Sequence, residues 1–372
     1  MRSFVLSEQD IIKLSVMVVT ASVFFGLFGL LVMLALQWLT RQTYAQDAVE
    51  KHGIAATKAS RLGGAAVISI TALILFLAPI TGVIMSTDGP LGIHIFGWVG
   101  CLGCASLGLI EDFRNGALKP SHRLIAKAGV FALVLWLWPA LAPSQIGIPG
   151  IDSLLGVPPL AWLVTGVFCV GFLNAANMAD GANGLMPSVF FVAFMIFYLQ
   201  TGGLLYSALM TSTGLFLIFN VISGRLFLGD AGAYGLGAAL ALSGLYLYSE
   251  GTFSAAFLAT LLMYPCIELL VSMSRRLVLG RSMFLPDNDH LHNRIYFHLQ
   301  NRMKSKTMAN SITGLAVALA SSGVALAGYI GEWWPVTDDG WVLAFMAQCL
   351  VYMTVFIVSG FNRSVSQHVV SS

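Results

Sequence analysis

Apolar residues run along this chain in long unbroken blocks, with polar residues gathered between them. Eleven blocks approach the roughly 20 residues that a helix needs to cross the hydrocarbon of a bilayer. They lie at 14–39, 63–84, 93–110, 124–142, 160–177, 185–200, 204–223, 231–249, 253–273, 309–330 and 341–360. The blocks are apolar throughout and do not alternate with a period of two, so they predict helices and not the strands of a barrel. The first block follows Glu8 and Asp10 instead of a basic cluster, and no small-residue cleavage site comes after it. It is therefore expected to stay as a helix, not to be removed as a signal peptide. The pattern predicts an all-α, polytopic membrane protein with about 11 transmembrane helices, organised as one domain over 1–372.

Composition narrows the class further. Hydrophobic residues make up 57% of the chain and charged residues only 10%, against about 25% charged in a typical soluble domain. The mean hydropathy is +0.83. This balance excludes a soluble enzyme, a disordered chain and a disulfide scaffold. A net charge of +2 gives no pull toward nucleic acid. Cys101 and Cys104 have C-x-x-C spacing without a thioredoxin-like context, and are expected to be small packing residues, as are Cys169, Cys266 and Cys349.

The few charges are distributed unevenly. Of 19 Lys and Arg, all but Arg2 and Lys13 fall in the segments that join blocks 1–2, 3–4, 7–8 and 9–10, at the start of block 4, or in the C-terminal tail. The alternate connections hold Asp88, Asp152, Glu250, Glu332, Asp338 and Asp339 and no basic residue. Basic loops stay in the cytoplasm, so the N-terminus is expected outside and the C-terminus inside.

The same side collects the polar chemistry: KHGIAATKASRLGG (51–64), EDFRNG (111–116), NAANMADGANGL (174–185), SGRLFLGDAGAYG (223–235) and PDNDHLHNR (286–294). Glu111 and Asp112 sit where block 3 leaves the membrane, Asp180 follows block 5, and Asp230 precedes block 8. Carboxylates flush with a membrane are costly unless paired or bound to a metal. Asp230 also suits an ordinary helix N-terminus, whereas Glu111 lies at a C-terminus, where the helix dipole disfavours it. Asn174, Asn177 and Asp180 recur every three residues and share one helix face; buried Asn can equally join helix to helix. His290 and His292 beside arginines suit an anionic phosphate better than zinc. Hard oxygen ligands with nearby cations suit Mg²⁺ bridging a diphosphate. Glu268, inside block 9, is expected to be structural, and the glycines 232, 235 and 237 to serve close helix packing. A cytoplasmic site of this make-up at a lipid boundary predicts phosphoryl transfer between a soluble phosphorylated compound and a membrane-held lipid.

With these motifs in order, the chain resembles the polyprenyl-phosphate N-acetylhexosamine-1-phosphate transferases, glycosyltransferase family 4. The resemblance covers nearly the whole chain. It implies transfer of a sugar 1-phosphate from a UDP-amino sugar to undecaprenyl phosphate with release of UMP, using Mg²⁺, for which Mn²⁺ can substitute. The segment 51–64 looks like the family's K-x-H … P-R-x-G-G stretch, giving Lys51, His52, Arg61, Gly63 and Gly64, with Ser60 in place of Pro. Glu111 and Asp112 look like its Asp-Asp pair. The segment 174–185 resembles N-x-x-N-x-x-D-G-x-D-G-L, implying nucleotide and metal contacts for Asn174, Asn177, Asp180, Gly181 and Asn183. Asp230 is similar to the main magnesium ligand, His290 and His292 to a diphosphate-binding loop, and Lys127 to a lysine at a helix start.

Three departures matter: Glu111 for Asp, Asn183 for Asp, and Asn293 for a third His. They favour simple UDP-N-acetylhexosamines over a muramoyl-pentapeptide donor. The implied roles are metal binding for Asp230 and Asn177, chemistry for Asp112, Glu111 and Asp180, and substrate binding for Asn174, Gly181, Asn183, His290, His292, Arg61 and Lys127. Asp112 is expected to position, or deprotonate, the attacking lipid phosphate. The implied setting is the bacterial inner membrane, as the first membrane step of cell-surface polysaccharide synthesis. N-acetylglucosamine or a 6-deoxy relative as the sugar, and a homodimer as the assembly, stay open. The competing class is a multi-pass transporter, which the nearly uncharged interiors of the blocks disfavour.

Overall fold

The computed structural model describes residues 8–42, 46–47, 59–78, 80, 95–114, 117–280 and 289–370. Lys51, His52 and Asp287 lie outside the described residues. Among the described residues, every apolar block contains helix. The first four form α1 (Glu8–Leu39), α2 (Gly63–Leu77), α3 (Ile95–Phe113) and α4 (Pro120–Leu137). After the short α5 (Pro149–Leu155) come α6 (Pro158–Ala179), α7 (Leu185–Thr201), α8 (Leu204–Ser223) and α9 (Gly229–Ser249). Block 9 is split into α10 (Ala255–Leu261) and α11 (Met263–Val278), bent by 78°. The short α12 (Leu291–Gln300) follows, and then block 10 as α13 (Lys306–Ala320) and α14 (Ser322–Ile330), bent by 50°. α15 (Trp341–Val370) closes the chain. A two-residue ribbon pairs β1 (Gln46–Asp47) with β2 (Ala59–Ser60).

The fold is all-α and polytopic. Among the described residues, five helices (α1, α6, α8, α9 and α15) are long and apolar enough to cross a membrane, and seven spans result if each bent pair forms one. The other blocks are the shorter α2, α3, α4 and α7, of 15, 19, 18 and 17 residues. Punctuation along the chain follows local rules. α4, α5 and α6 each begin with Pro in the first turn, where its missing N–H costs nothing. α7 and α8 stop at Gly202 and Gly224, both in the left-handed region.

The two breaks are not visible in the apolar pattern, but their freed backbone groups are satisfied, as an apolar medium demands. Ser321 separates α13 from α14. Its hydroxyl accepts the Tyr264 N–H at 3.1 Å, and the Gln348 side chain of α15 donates to the Ser321 carbonyl at 2.8 Å.

α9 is the central helix, buried along most of its length and packed by α2, α3 and α6. Its sequence, GDAGAYGLGAALALSG, is mostly Gly, Ala and Ser, which lets neighbouring backbones approach. A Cβ added at Gly64 would lie 2.0 Å from the Gly232 nitrogen, and one at Gly108 would lie 2.2 Å from the Asp230 carbonyl oxygen. A Cβ at Gly235 would meet the Ala105 Cβ at 2.8 Å, so the glycine-rich start of α9 serves close packing, as expected. Backbone cannot rotate away as a side chain can. Gly64→Ala is therefore expected to destabilise the protein by about 2 kcal/mol, lowering its thermal midpoint in detergent. Gly129→Ala on α4, where a Cβ meets nothing within 4 Å, should leave the midpoint at or above wild type.

Candidate active site

The C-terminal ends of α3, α6 and α8 and the N-terminal ends of α4, α7 and α9 meet at one end of the bundle, with the start of α12 beside them. They enclose a cavity of about 1570 Å³. All twelve residues given roles from the sequence line it, although they come from six separate segments. The segment 60–64 is held there by the loop after α8. The Phe227 N–H donates to the Ser60 carbonyl at 2.8 Å, and the Gly63 and Gly64 N–H groups donate to the carbonyls of Phe227 and Leu228 at 3.0 and 2.7 Å. This pairing carries Arg61 to the rim.

The carboxylates have distinct surroundings. Asp112, 3% exposed, accepts the backbone N–H of Asp230 at 2.9 Å and of Ala231 at 2.8 Å. It therefore caps α9 from another helix, satisfying two of the four amides that every helix start leaves open. Glu111 accepts the Leu118 N–H at 2.6 Å and lies 3.6 Å from the Arg123 guanidinium. Its place at a helix C-terminus is explained by this hold on the α3–α4 turn. Asp230, in the first turn of α9, accepts a hydrogen bond from the Asn177 side-chain amide. Asp180 caps the C-terminal end of α6. Desolvation, and then the negative charges of Asp230 and Asp112, hold its carboxyl well above the usual range.

The predicted polar face of α6 is present. The Lys127 ammonium, almost fully buried, donates to the Asn174 side-chain oxygen and lies 4.1 Å from the centre of the Tyr234 ring. Gly181 is where it is because of His292: a Cβ there would lie 2.1 Å from the His292 Nε2. Asn183 lines the cavity, but its backbone N–H donates to the Asn310 side chain at 2.8 Å and its amide to Ser311 at 3.4 Å. It thus also ties the glycine-rich turn to α13.

The histidines stand at the start of α12 and are held by side chains of α11. His290 donates from Nδ1 to Glu268 at 3.0 Å and lies roughly parallel to the His292 ring, with centroids 5.4 Å apart. The His292 Nδ1 lies 2.8 Å from the Tyr264 hydroxyl. Burial, with His290 close by, pushes the His292 imidazole down to about 3, so this ring is neutral at ordinary pH. Arg294 is one of the arginines beside these histidines that were expected to favour a phosphate. Instead it grips Asp289 with two hydrogen bonds of 2.7 Å and covers the Phe356 ring at 3.8 Å. Tyr264, Tyr352, Tyr234, Arg123 and Asn310 were missed. Tyr264 carried a signal, one helical turn before Glu268; Tyr352 carried none.

One flank of the cavity is apolar. Leu135 of α4, Trp162, Leu163, Val167 and Val170 of α6, and Met273 of α11 form it. Leu163 and Val167 are 62% and 65% exposed. The cavity therefore opens sideways, through the wall of the bundle.

Among the described residues, no three His, Cys, Asp or Glu side chains form a ready-made cation cage. The donor chemistry still fits Mg²⁺, which is usually held by one or two carboxylates with substrate phosphates and water completing the shell. Asp180 and Asp230 repel each other in a desolvated site, and a dication between them would relieve that repulsion.

Residues 94–248 match the family model described as Glycosyl transferase family 4. Curated relatives include the Phospho-N-acetylmuramoyl-pentapeptide-transferase of Synechococcus sp. (strain JA-2-3B'a(2-13)), 33% identical over 44% of this chain and 49% of that protein. The Undecaprenyl-phosphate alpha-N-acetylglucosaminyl 1-phosphate transferase of Thermotoga maritima is 30% identical over 50% of this chain and 56% of that protein. The Probable undecaprenyl-phosphate N-acetylglucosaminyl 1-phosphate transferase of Bacillus subtilis is 26% identical over 55% and 59%. The chain spans about half the length of the curated relatives it matches. The family resemblance read from the motifs is borne out over residues 94–248, with the segments 51–64 and 286–294 outside the family model's match, and with the apolar helices these matches make this a multi-pass membrane protein related to transferases.

Proposed function

We propose that this relative of family 4 glycosyl transferases moves an N-acetylhexosamine 1-phosphate from a UDP-sugar to undecaprenyl phosphate and releases UMP. The observation that carries this reading is the single cavity with a charged floor and an apolar flank that opens sideways. It suits a water-soluble diphosphate and a lipid phosphate at once. Such a site, with the basic residues on its side of the bundle, would face the cytoplasm of the bacterial inner membrane.

In this reading Asp230, with Asp180 and the Asn177 oxygen, would hold Mg²⁺, which when bound neutralises charge on the diphosphate. Arg61, Lys127 and His290 face the phosphates. Asp112 keeps Asp230 and the start of α9 in place. A phosphate monoester is largely ionised at pH 7, so a strong base is not required for its attack on the sugar-bearing phosphorus. The preferred donor carries N-acetylglucosamine or a 6-deoxy relative. A muramoyl-pentapeptide donor is the second reading, favoured by the 33% identity to a relative of that name.

Membranes containing the chain should exchange labelled UMP into UDP-N-acetylglucosamine, and only when Mg²⁺ and a polyprenyl phosphate are both present. A donor panel in the same assay separates the two readings. Absence of exchange with every donor, together with uptake of a solute by sealed vesicles, would overturn the transferase reading in favour of transport.

A further inference from the structure

Glu268 is a buried charged group that the proposed reaction leaves unused. It is fully buried in α11, inside the apolar bundle. A carboxylate in such a place is expensive unless several donors surround it. Three do. His290 Nδ1 donates to Oε1 at 3.0 Å. The Leu291 backbone N–H donates to Oε2 at 3.2 Å, and the Tyr352 hydroxyl of α15 to the same oxygen at 2.8 Å. The ring of His290 lines the cavity. With Nδ1 taken, Nε2 is its remaining polar atom.

We infer that Glu268 is the positioning residue of His290: it takes Nδ1–H, fixes the ring, and presents Nε2 to the diphosphate of the donor. The inference rests on the proposed reading of the cavity for the identity of what Nε2 meets. A ring that offers Nε2–H to a phosphate while Nδ1–H faces a carboxylate carries two protons, and Glu268 is its counter-charge inside a water-poor site. The two oxygens are not equivalent. Oε2 takes the Leu291 and Tyr352 donors, and Oε1 takes His290 Nδ1. A glutamine side chain at this position has one oxygen and one NH₂. The oxygen must stay with the Leu291 and Tyr352 donors, so the NH₂ turns to His290. Nδ1 must then accept, which forces the proton to Nε2 and removes the counter-charge. The substitution changes few atoms but takes one proton, and with it the positive charge, from the ring, which weakens its hydrogen bond to a phosphate without moving it.

The test uses the full-length protein in detergent or nanodiscs. Glu268→Gln is expected to lower kcat about 100-fold with KM for the UDP-sugar changed much less. Glu268→Asp, which keeps the charge at shorter reach, should recover most of the loss. The double variant Glu268→Gln/His290→Ala should be no slower than His290→Ala, because the two residues act as one unit. Losses that multiply in the double variant, or a Glu268→Gln protein with wild-type kcat, would overturn the inference. Nitrogen-15 histidine spectra read the ring without any turnover, with His290 assigned by its absence in His290→Ala. Nδ1 should be protonated in the wild type and unprotonated in Glu268→Gln; an unchanged ring would also overturn the inference. If Glu268→Gln does not fold, Tyr352→Phe takes its place. It removes one donor from Oε2 and should lower kcat several-fold at unchanged KM, and wild-type kcat there counts against the inference. A wild-type chain that exchanges no donor would sink the proposed function, while the spectra would still decide the Glu268–His290 pairing.

Discussion

Asp230→Asn is expected to lower turnover by about 10³-fold, the scale of removing one well-placed electrostatic group from an active site. The substitution keeps size and shape, so the packing of α9 against α2 and α3 should survive and the thermal midpoint should stay close to wild type. What is lost is a negative charge beside Asp180 and an acceptor for the Asn177 amide. Initial rates of UMP release across a Mg²⁺ titration measure the effect. The variant should stay slow at saturating Mg²⁺. Wild-type turnover at limiting Mg²⁺ would show that Asp230 does not hold the cation.

Asp112→Ala should damage stability and turnover together. The side chain accepts two backbone amides at the start of α9. Burial pushes the Asp112 carboxyl up to about 7, so each bond counts as an ordinary one of about 0.5–1.5 kcal/mol and losing both should cost roughly 1–3 kcal/mol. Asp230 rides on one of those amides, so the change also releases the proposed metal ligand. Asp112→Asn keeps one acceptor oxygen and should fall between alanine and wild type in both measurements. A role limited to proton transfer predicts something else: Asp112→Asn would melt like wild type and still be inactive. Thermal midpoints and exchange rates on the same preparations separate the two.

These cases show what the sequence could reveal. Helices were legible because each apolar block is continuous, and a block such as 204–223 ends where Gly224 allows a left-handed turn. The site was legible because polar residues at membrane depth are rare, so Asn174, Asn177, Asp180 and Asp230 stood out from their surroundings. Direction was harder to read. Asp112 looked like a group aimed at substrate, and its carboxylate points at amides 118 and 119 residues further along the chain. Arg294 looked like a phosphate ligand, and Asp289, five residues away, holds it. The breaks at Leu262 and Ser321 left no mark either, because what stabilises the second is Gln348, in a block that reads as plain membrane helix. In each instance the missing information is a long-range partner, which periodicity does not carry.

The sideways opening at the apolar flank of the cavity sets the units in which the proposed reaction is measured. A donor in water reaches the floor of the cavity from a volume, whereas a lipid acceptor reaches it by sliding sideways past Leu163 and Val167 within a surface. The first encounter scales with molarity. The second scales with molecules per unit area, so diluting the membranes in buffer leaves it untouched, and adding inert lipid slows it. Saturation by the acceptor is then a property of the bilayer's composition rather than of the concentration in the tube.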